Sequence, residues 1–142
     1  MTLEKLLYEI SEMAIHQEII NYSAAGSDIY GLNGRTIKDW PVLFVSPTGS
    51  HTVKEGTTIY SLTLYYLERL LDDSENEVGI LSTAIEELKN IVRNVKLIDG
   101  VVDIEEIYQI TNFIETEAFN DRVAGAYCTV QIEVLNNTIC PE

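Results

Sequence analysis

Across residues 74–95 apolar positions recur at alternating steps of three and four: Val78, Leu81, Ile85, Leu88, Val92 and Val95. That spacing puts them on one face of an α-helix. Glu86, Glu87, Lys89, Asn90 and Arg93 fall on the other side. Ser74 and Glu77 have the spacing of a capping box, in which the hydroxyl and the carboxylate each satisfy an orphan backbone N–H. Lys89, Arg93 and Lys96 gather in the last turns, where the helix dipole favours positive charge. A helix with one polar side needs an apolar surface to lie on.

A second helical stripe opens the chain. Over residues 2–21, Leu3, Leu6, Leu7, Ile10, Met13, Ala14 and Gln17 line one face, with Thr2 placed as N-cap. The period dissolves over residues 23–39 among Gly26, Gly31, Asn33 and Gly34, which predicts a loop. Its Tyr22, Ile29, Tyr30, Leu32 and Ile37 predict that it packs down on the protein.

Trp40-Pro41 then introduces a short apolar strand over residues 42–45. Pro47-Thr48-Gly49-Ser50 is turn chemistry, and the polar connection over residues 46–56 is longer than a tight hairpin requires. A projecting hairpin loop is expected there. Residues 57–67 alternate strictly, with Tyr60, Leu62, Leu64 and Tyr66 on one face and Ile59, Ser61, Thr63 and Tyr65 on the other. The second face is only half apolar, so one side is expected toward the helices and the other toward solvent or a partner. Asp99-Gly100 marks a turn after the long helix. Residues 104–117 form a weaker, Glu-rich strand pattern interrupted by Asn112, and Phe119-Asn120-Asp121-Arg122 reads as a bend. The last strand is the clearest: Ala126, Cys128, Val130, Ile132 and Val134 face one way, Tyr127, Thr129, Gln131 and Glu133 the other. Residues 136–142 are a tail without a period.

The order is helix, two strands, helix, two strands. Strands joined by short links pair antiparallel, and helices collected on one face give a two-layer α+β fold. The expectation is a single domain spanning residues 1–142, with a mostly antiparallel four-stranded sheet and two amphipathic helices on one side.

Composition changes this picture in one respect. With 142 residues, 46% hydrophobic and 23% charged, the chain can bury a real core. Nine Lys and Arg against 23 Asp and Glu give a net charge of -14. Such a surface repels nucleic-acid phosphates and anionic lipid, so groove binding and membrane docking are both disfavoured. No apolar run approaches the ~20 residues that span a bilayer. Glu4, Lys5, Glu9 and Glu12 interrupt the first apolar stretch, so no signal-peptide core is expected. Cys128 and Cys140 are too few for a disulfide framework; Cys128, inside a strand pattern, is expected as a small buried hydrophobe. A reducing, intracellular place of synthesis fits.

Candidate chemistry is sparse. His16 lies at a polar helix position and His51 in the hairpin loop, neither with the partners a general base needs. No His/Cys grouping has zinc spacing. Gly31-Leu32-Asn33-Gly34 lacks the Lys and Ser/Thr of a phosphate loop. Asp72, Asp73, Glu75 and Glu77 lack the glycine and terminal Glu of a calcium loop, and acids at a helix start are favoured anyway. An enzyme using Asp39, His51 or Glu55 in a cleft beside the 23–39 loop would have no nucleophile–base–orienter set. No catalytic residue, cofactor or metal is expected. Asp121 and Arg122 are one juxtaposed opposite pair; exposed, it is worth at most about 1 kcal/mol. Across a subunit boundary, Arg122 could instead orient a neighbour's carboxylate through a two-point contact.

The layout resembles a known family. A helix leads through a loop into Trp40-Pro41-Val42-Leu43-Phe44-Val45, then a projecting hairpin, then a strand ending in Glu68 and Asp72-Asp73. The long helix follows, and Phe119-Asn120-Asp121-Arg122-Val123-Ala124-Gly125 runs into the final strand. This is similar to the tail-terminator and head-to-tail joining (neck ring) proteins of tailed bacteriophages, including phages of gut Bacteroidales. The resemblance implies a structural virion protein without enzymatic activity, made in the host cytoplasm and located at the head–tail junction. It implies closed homo-oligomeric rings of six or twelve subunits, contacts with neighbouring neck, portal or tail proteins, and a lumen that DNA crosses without specific binding. An acidic lumen would keep DNA from sticking. A ring needs two different faces on each subunit. Pro47, Thr48, His51, Val53 and Lys54 of the hairpin loop, with Asp121 and Arg122, are the candidate subunit or ring–ring contacts. The competing reading is a small acidic α+β adaptor that docks a protein partner.

Overall fold

The computed structural model describes residues 1–30, 39–70, 76–116 and 122–136. Its elements run α1 (Leu3–His16), β1 (Tyr22–Ala25), β2 (Val42–Pro47), β3 (Thr52–Val53), β4 (Thr57–Arg69), α2 (Glu77–Val95), β5 (Val101–Ile104), β6 (Ile110–Glu115) and β7 (Val123–Leu135). The spine is an antiparallel pair, β4 and β7, each 13 residues long and matched along its whole length from Thr57 opposite Leu135 to Arg69 opposite Val123. Shorter strands flank it. β2 and β3 lie end to end along the free side of β4, β5 and β6 along the free side of β7, and β1 adds to β2 in parallel.

The fold is therefore α+β as expected, but the sheet is mixed and seven-stranded, not four-stranded. Three local reasons account for the extra strands. Tyr22-Ser23-Ala24-Ala25 carries weak strand propensity and reads as loop; it becomes β1 by pairing beside β2 and through a Ser11–Ser23 hydroxyl contact of 2.7 Å to α1. Within the expected hairpin loop, Thr52 and Val53 fold back onto Ile59 and Thr58, and Gly56 at φ +85 makes the reversal that side-chain-bearing residues resist. The Glu-rich segment breaks over residues 105–109, not at Asn112, which lies within β6 opposite Ala126.

The alternation along β4 and β7 holds. Leu62, Leu64 and Tyr66 share one buried face with Ala126, Cys128, Val130, Ile132 and Val134, and both helices cover it. α1 contributes Leu6, Ile10 and Ala14 and starts at Thr2, whose side chain accepts from the Lys5 N–H. It ends at His16, earlier than the stripe to residue 21 suggested. There the Glu18 N–H donates to the Ile15 carbonyl and the Ile19 N–H to the Ala14 carbonyl, each at 3.0 Å, closing a Schellman turn. Glu18 occupies the left-handed position at φ 59, which glycine fills without strain. Glu18→Gly is expected to raise stability by about 0.5–1 kcal/mol, read as a higher denaturant midpoint with unchanged slope.

α2 departs from its sequence stripe. Leu88, Val92 and Val95 are buried as expected, but the upper half buries Ile80 and Ala84, and Ile91 replaces Ile85 below. Val78 is 78% exposed, and Leu81 and Ile85 sit at the margin. At 100° per residue the buried arc is rotated by roughly 60° from the expected one. Two apolar stripes overlap on this helix, and the sheet selects the one containing small Ala84. The helix begins at Glu77 after Asn76, so Glu77 is its first residue and not the third-position acid of a capping box; Ser74 lies outside the described residues.

Candidate functional site

The expected contact residues divide between two ends of the sheet. At one end the loop before β3 is tied down on β4: the Thr48 N–H and hydroxyl both donate to the Ser61 carbonyl, at 2.9 and 3.0 Å. His51 Nδ1 accepts from the Ser61 N–H at 3.2 Å, and its ring meets Tyr60 edge-on at 5.3 Å. His51 is thus held as a hydrogen-bond acceptor. Pro47 ends β2 opposite Leu62. Beyond it the β3–β4 hairpin turns over Glu55-Gly56, with the Lys54 N–H donating to the Thr57 carbonyl at 2.9 Å.

That hairpin is anchored to the end of β7. Thr57 Oγ1 donates to Glu133 at 2.7 Å, and Lys54 Nζ reaches the same carboxylate at 3.4 Å. The hydroxyl, then the lysine, hold the Glu133 pKa below the ordinary carboxylate value. Asn136 donates its backbone N–H to the Gly56 carbonyl at 2.9 Å and receives the Thr58 hydroxyl on its side chain. Val53 projects outward, 78% exposed. A stapled hairpin with an exposed valine on its outer strand is suited to a contact surface.

Arg122 lies elsewhere. Its carbonyl accepts from the Leu70 N–H at 2.8 Å, just past the far end of β4, roughly 30 Å along the strand from Ser61 at ~3.3 Å per residue. Asp121 lies outside the described residues, so its pairing with Arg122 belongs to the sequence alone. The hairpin cluster and Arg122 are not one site; they lie at opposite ends of β4.

Between these ends runs the second sheet face, graded from polar to aromatic. Cross-strand pairs follow in order: Ile59 opposite Glu133, Ser61 opposite Gln131, Thr63 opposite Thr129, Tyr65 opposite Tyr127, Leu67 opposite Gly125. Thr63 and Thr129 share a hydroxyl contact of 2.8 Å. The aromatic end is closed by Phe44, Val42, Ala24 and Ile29, with Trp40 packed against them. Tyr65 meets Phe44 at 6.2 Å, Tyr127 at 5.3 Å and Phe113 at 5.7 Å between ring centroids. The Phe113 contact spans two strand spacings and is possible because Gly125, between them, has no side chain.

Asp39, His51 and Glu55 do not converge. Asp39 precedes β2 near the Leu67 end of β4, whereas His51 and Glu55 lie at the Thr57 end. A groove of about 400 Å³ beside the start of α2 presents Tyr66 and Glu68, both with pKa values raised by burial. No grouping of three or more His, Cys, Asp or Glu able to hold a metal ion occurs among the described residues, and no described helix is long and apolar enough to cross a membrane.

Cys128 behaves as the strand pattern implied. It is buried against the helices, and burial alone pushes its thiol up to about 12. Since the neutral thiol is favoured in the fold and the unfolded thiol ionises near ~8.5, this contribution is intact below pH ~8.5 and is lost as pH rises toward 12. In a Cys140→Ser background, native protein at pH 8 is expected to react with a disulfide reagent at least ~100-fold more slowly than unfolded protein. Stoichiometric labelling within seconds would contradict this burial.

One feature had only a local explanation in the sequence. Lys89, Arg93 and Lys96, read as complements to the helix dipole, line a groove of about 250 Å³ between α2 and the 105–109 connection, with Tyr108 on its far wall. Their proximity to Tyr108 depends on how α2 lies on the sheet, which no local spacing encodes. A scan of the chain against models of known protein families finds no match, and no curated protein matches it.

Proposed function

We propose that this chain is a structural subunit of a tailed-bacteriophage neck: a tail-terminator or head-to-tail joining protein that assembles as a homo-oligomeric ring and leaves a channel for DNA. The observation that carries this reading is the separation of the candidate contact residues to opposite ends of one sheet. The stapled β3–β4 hairpin, with Val53 and Lys54, lies at one end of β4, and Arg122 lies at the other. Closed rings are built from heterologous contacts between two such different patches. The reading assigns no enzymatic role and no cofactor. Its acidic surface, at a net charge of -14, would let DNA pass a lumen without adhering.

The test is assembly. Purified protein, concentrated and imaged by electron microscopy, is expected to form rings of one stoichiometry, six or twelve copies, and labelled subunits are expected at the head–tail junction of mature particles. Turnover of a small molecule, or mature particles that contain none of the protein, would overturn the proposal. The adaptor reading is favoured by one observation: among the described residues β6 pairs only with β7, so Thr111 and Asn112 border an open edge to which a partner strand could add. A persistent monomer that captures an extended peptide along β6 would favour it.

A further inference from the structure

On the same reading of the chain as a ring subunit, its two helices carry complementary outer stripes. Lys89, Arg93 and Lys96 fall on one side of α2 and its C-cap, at steps of four and three. They are three of only nine Lys and Arg in the chain. Lys89 pairs with Glu86 at 2.7 Å and Lys96 with Glu106 at 3.7 Å, both exposed; Glu105 and Glu106 line the facing wall, so the positive charge of the groove lies on its α2 wall, where Arg93 has no carboxylate partner among the described residues. The positive charge of Lys89 and Arg93 is felt at Tyr108, opposing the rise that burial gives its pKa. The rim carries exposed aliphatics, Ile107 at 88% and Leu97 at 79%. Arginine and tyrosine around a groove are what interface cores favour.

The outer stripe of α1 has the opposite sign. Glu4, Tyr8, Glu12 and Ile15 recur at steps of four, four and three, with Tyr8 57% and Ile15 42% exposed; Lys5 lies over the Tyr8 ring at 5.5 Å but pairs with Glu9 at 2.8 Å, so Glu4 and Glu12 leave the face acidic. The stripes lie on opposite flanks. α1 packs against β1 and α2 at the β1 edge of the sheet, while α2 packs against β7, β4, β5 and β6, toward the other edge.

We infer that these stripes are the two halves of one head-to-tail contact: the basic α2 wall of this groove receives the acidic outer face of α1 from a second copy of this chain. Two copies at a net charge of -14 repel each other over most orientations. Joining at the basic stripe puts opposite charges at the contact, and Tyr8 and Ile15 meet the aliphatic rim. Because the stripes differ and face opposite flanks, each copy offers one free half after docking, so the contact propagates until it closes.

The experiment is a charge swap read by mass photometry and electron microscopy. Lys89→Glu with Arg93→Glu is expected to reduce assembly at least ~10-fold, and so is Glu4→Lys with Glu12→Lys, through like charges brought together. The first pair makes the chain more acidic and the second less, so an effect of overall charge cannot produce both losses. The four changes combined restore the native net charge and are expected to restore rings. Unchanged melting temperatures establish that each variant is folded. Should the wild-type chain form rings and both paired variants form them equally well, the helix–helix contact is wrong and the ring reading stands. Should the wild type fail to assemble at any concentration, the ring reading itself falls and this contact with it.

Discussion

Gly125→Ala is expected to be the most damaging single-methyl change in the protein. A Cβ at Gly125 would lie 1.8 Å from the Tyr66 carbonyl oxygen and 3.0 Å from Leu67 Cα. Both are backbone atoms of β4, so no rotamer change relieves the overlap. Either β4 and β7 must separate near the Arg69–Val123 end of the spine, or the register must change. Separation breaks ladder hydrogen bonds in a pair whose inner face is the core. It also forces apart the Tyr65 and Phe113 rings, which meet across the empty position. A cost above about 4 kcal/mol is expected, enough to remove most of the stability of a domain this size. The measurement is urea unfolding followed by Trp40 fluorescence, with Gly49→Ala as the control, since a Cβ there meets nothing within 4 Å. A Gly125→Ala protein that unfolds at the native midpoint would show that the two strands do not approach this closely.

The second large effect separates the two apolar stripes of α2. Ile91 is fully buried among the sheet residues, whereas Val78 is 78% exposed. Ile91→Ala is expected to cost about 2–5 kcal/mol, the sum of lost transfer energy and the cavity left behind. Val78→Ala is expected within about 0.5 kcal/mol of native. The stripe read from spacing alone predicts the reverse order, because it contains Val78 and omits Ile91. Equal losses at both positions would mean that the helix is not rotated as described. Ile80→Ala extends the comparison to the first turns, where Ile80 packs with Leu70 and Ala124.

These experiments bear on why some features were legible in the sequence and others were not. The faces of β4 and β7 were readable because a strand has a period of two, so one buried side determines the other. α1 and its Thr2 cap were readable for a similar reason, since cap and stripe are local. The rotation of α2 was not. Its apolar arc is wide enough to accept two orientations, and packing chooses between them. β1 was invisible because Ser23, Ala24 and Ala25 have little intrinsic preference for a strand; only the neighbouring β2 supplies the pairing. The candidate contact residues were found singly, but their separation to opposite ends of β4 follows from the register of the sheet.

Residue order alone determined the class of the protein: two amphipathic helices over a sheet whose inner face is buried, a strongly acidic composition, and a buried thiol in the last strand. Each follows from local periodicity or from counting charges, and neither depends on distant partners. The second buried cluster, around Phe44 and Leu67, was not legible there. Tertiary structure decided what is made by residues far apart in the chain. It brought the flanking strands alongside the β4–β7 spine, left no room for a side chain at Gly125 by laying the Tyr66 carbonyl over it, and set Lys89, Arg93 and Lys96 beside Tyr108. The physical reason is that these features depend on packing between elements, where several local arrangements are nearly equal in energy and the shared core selects one.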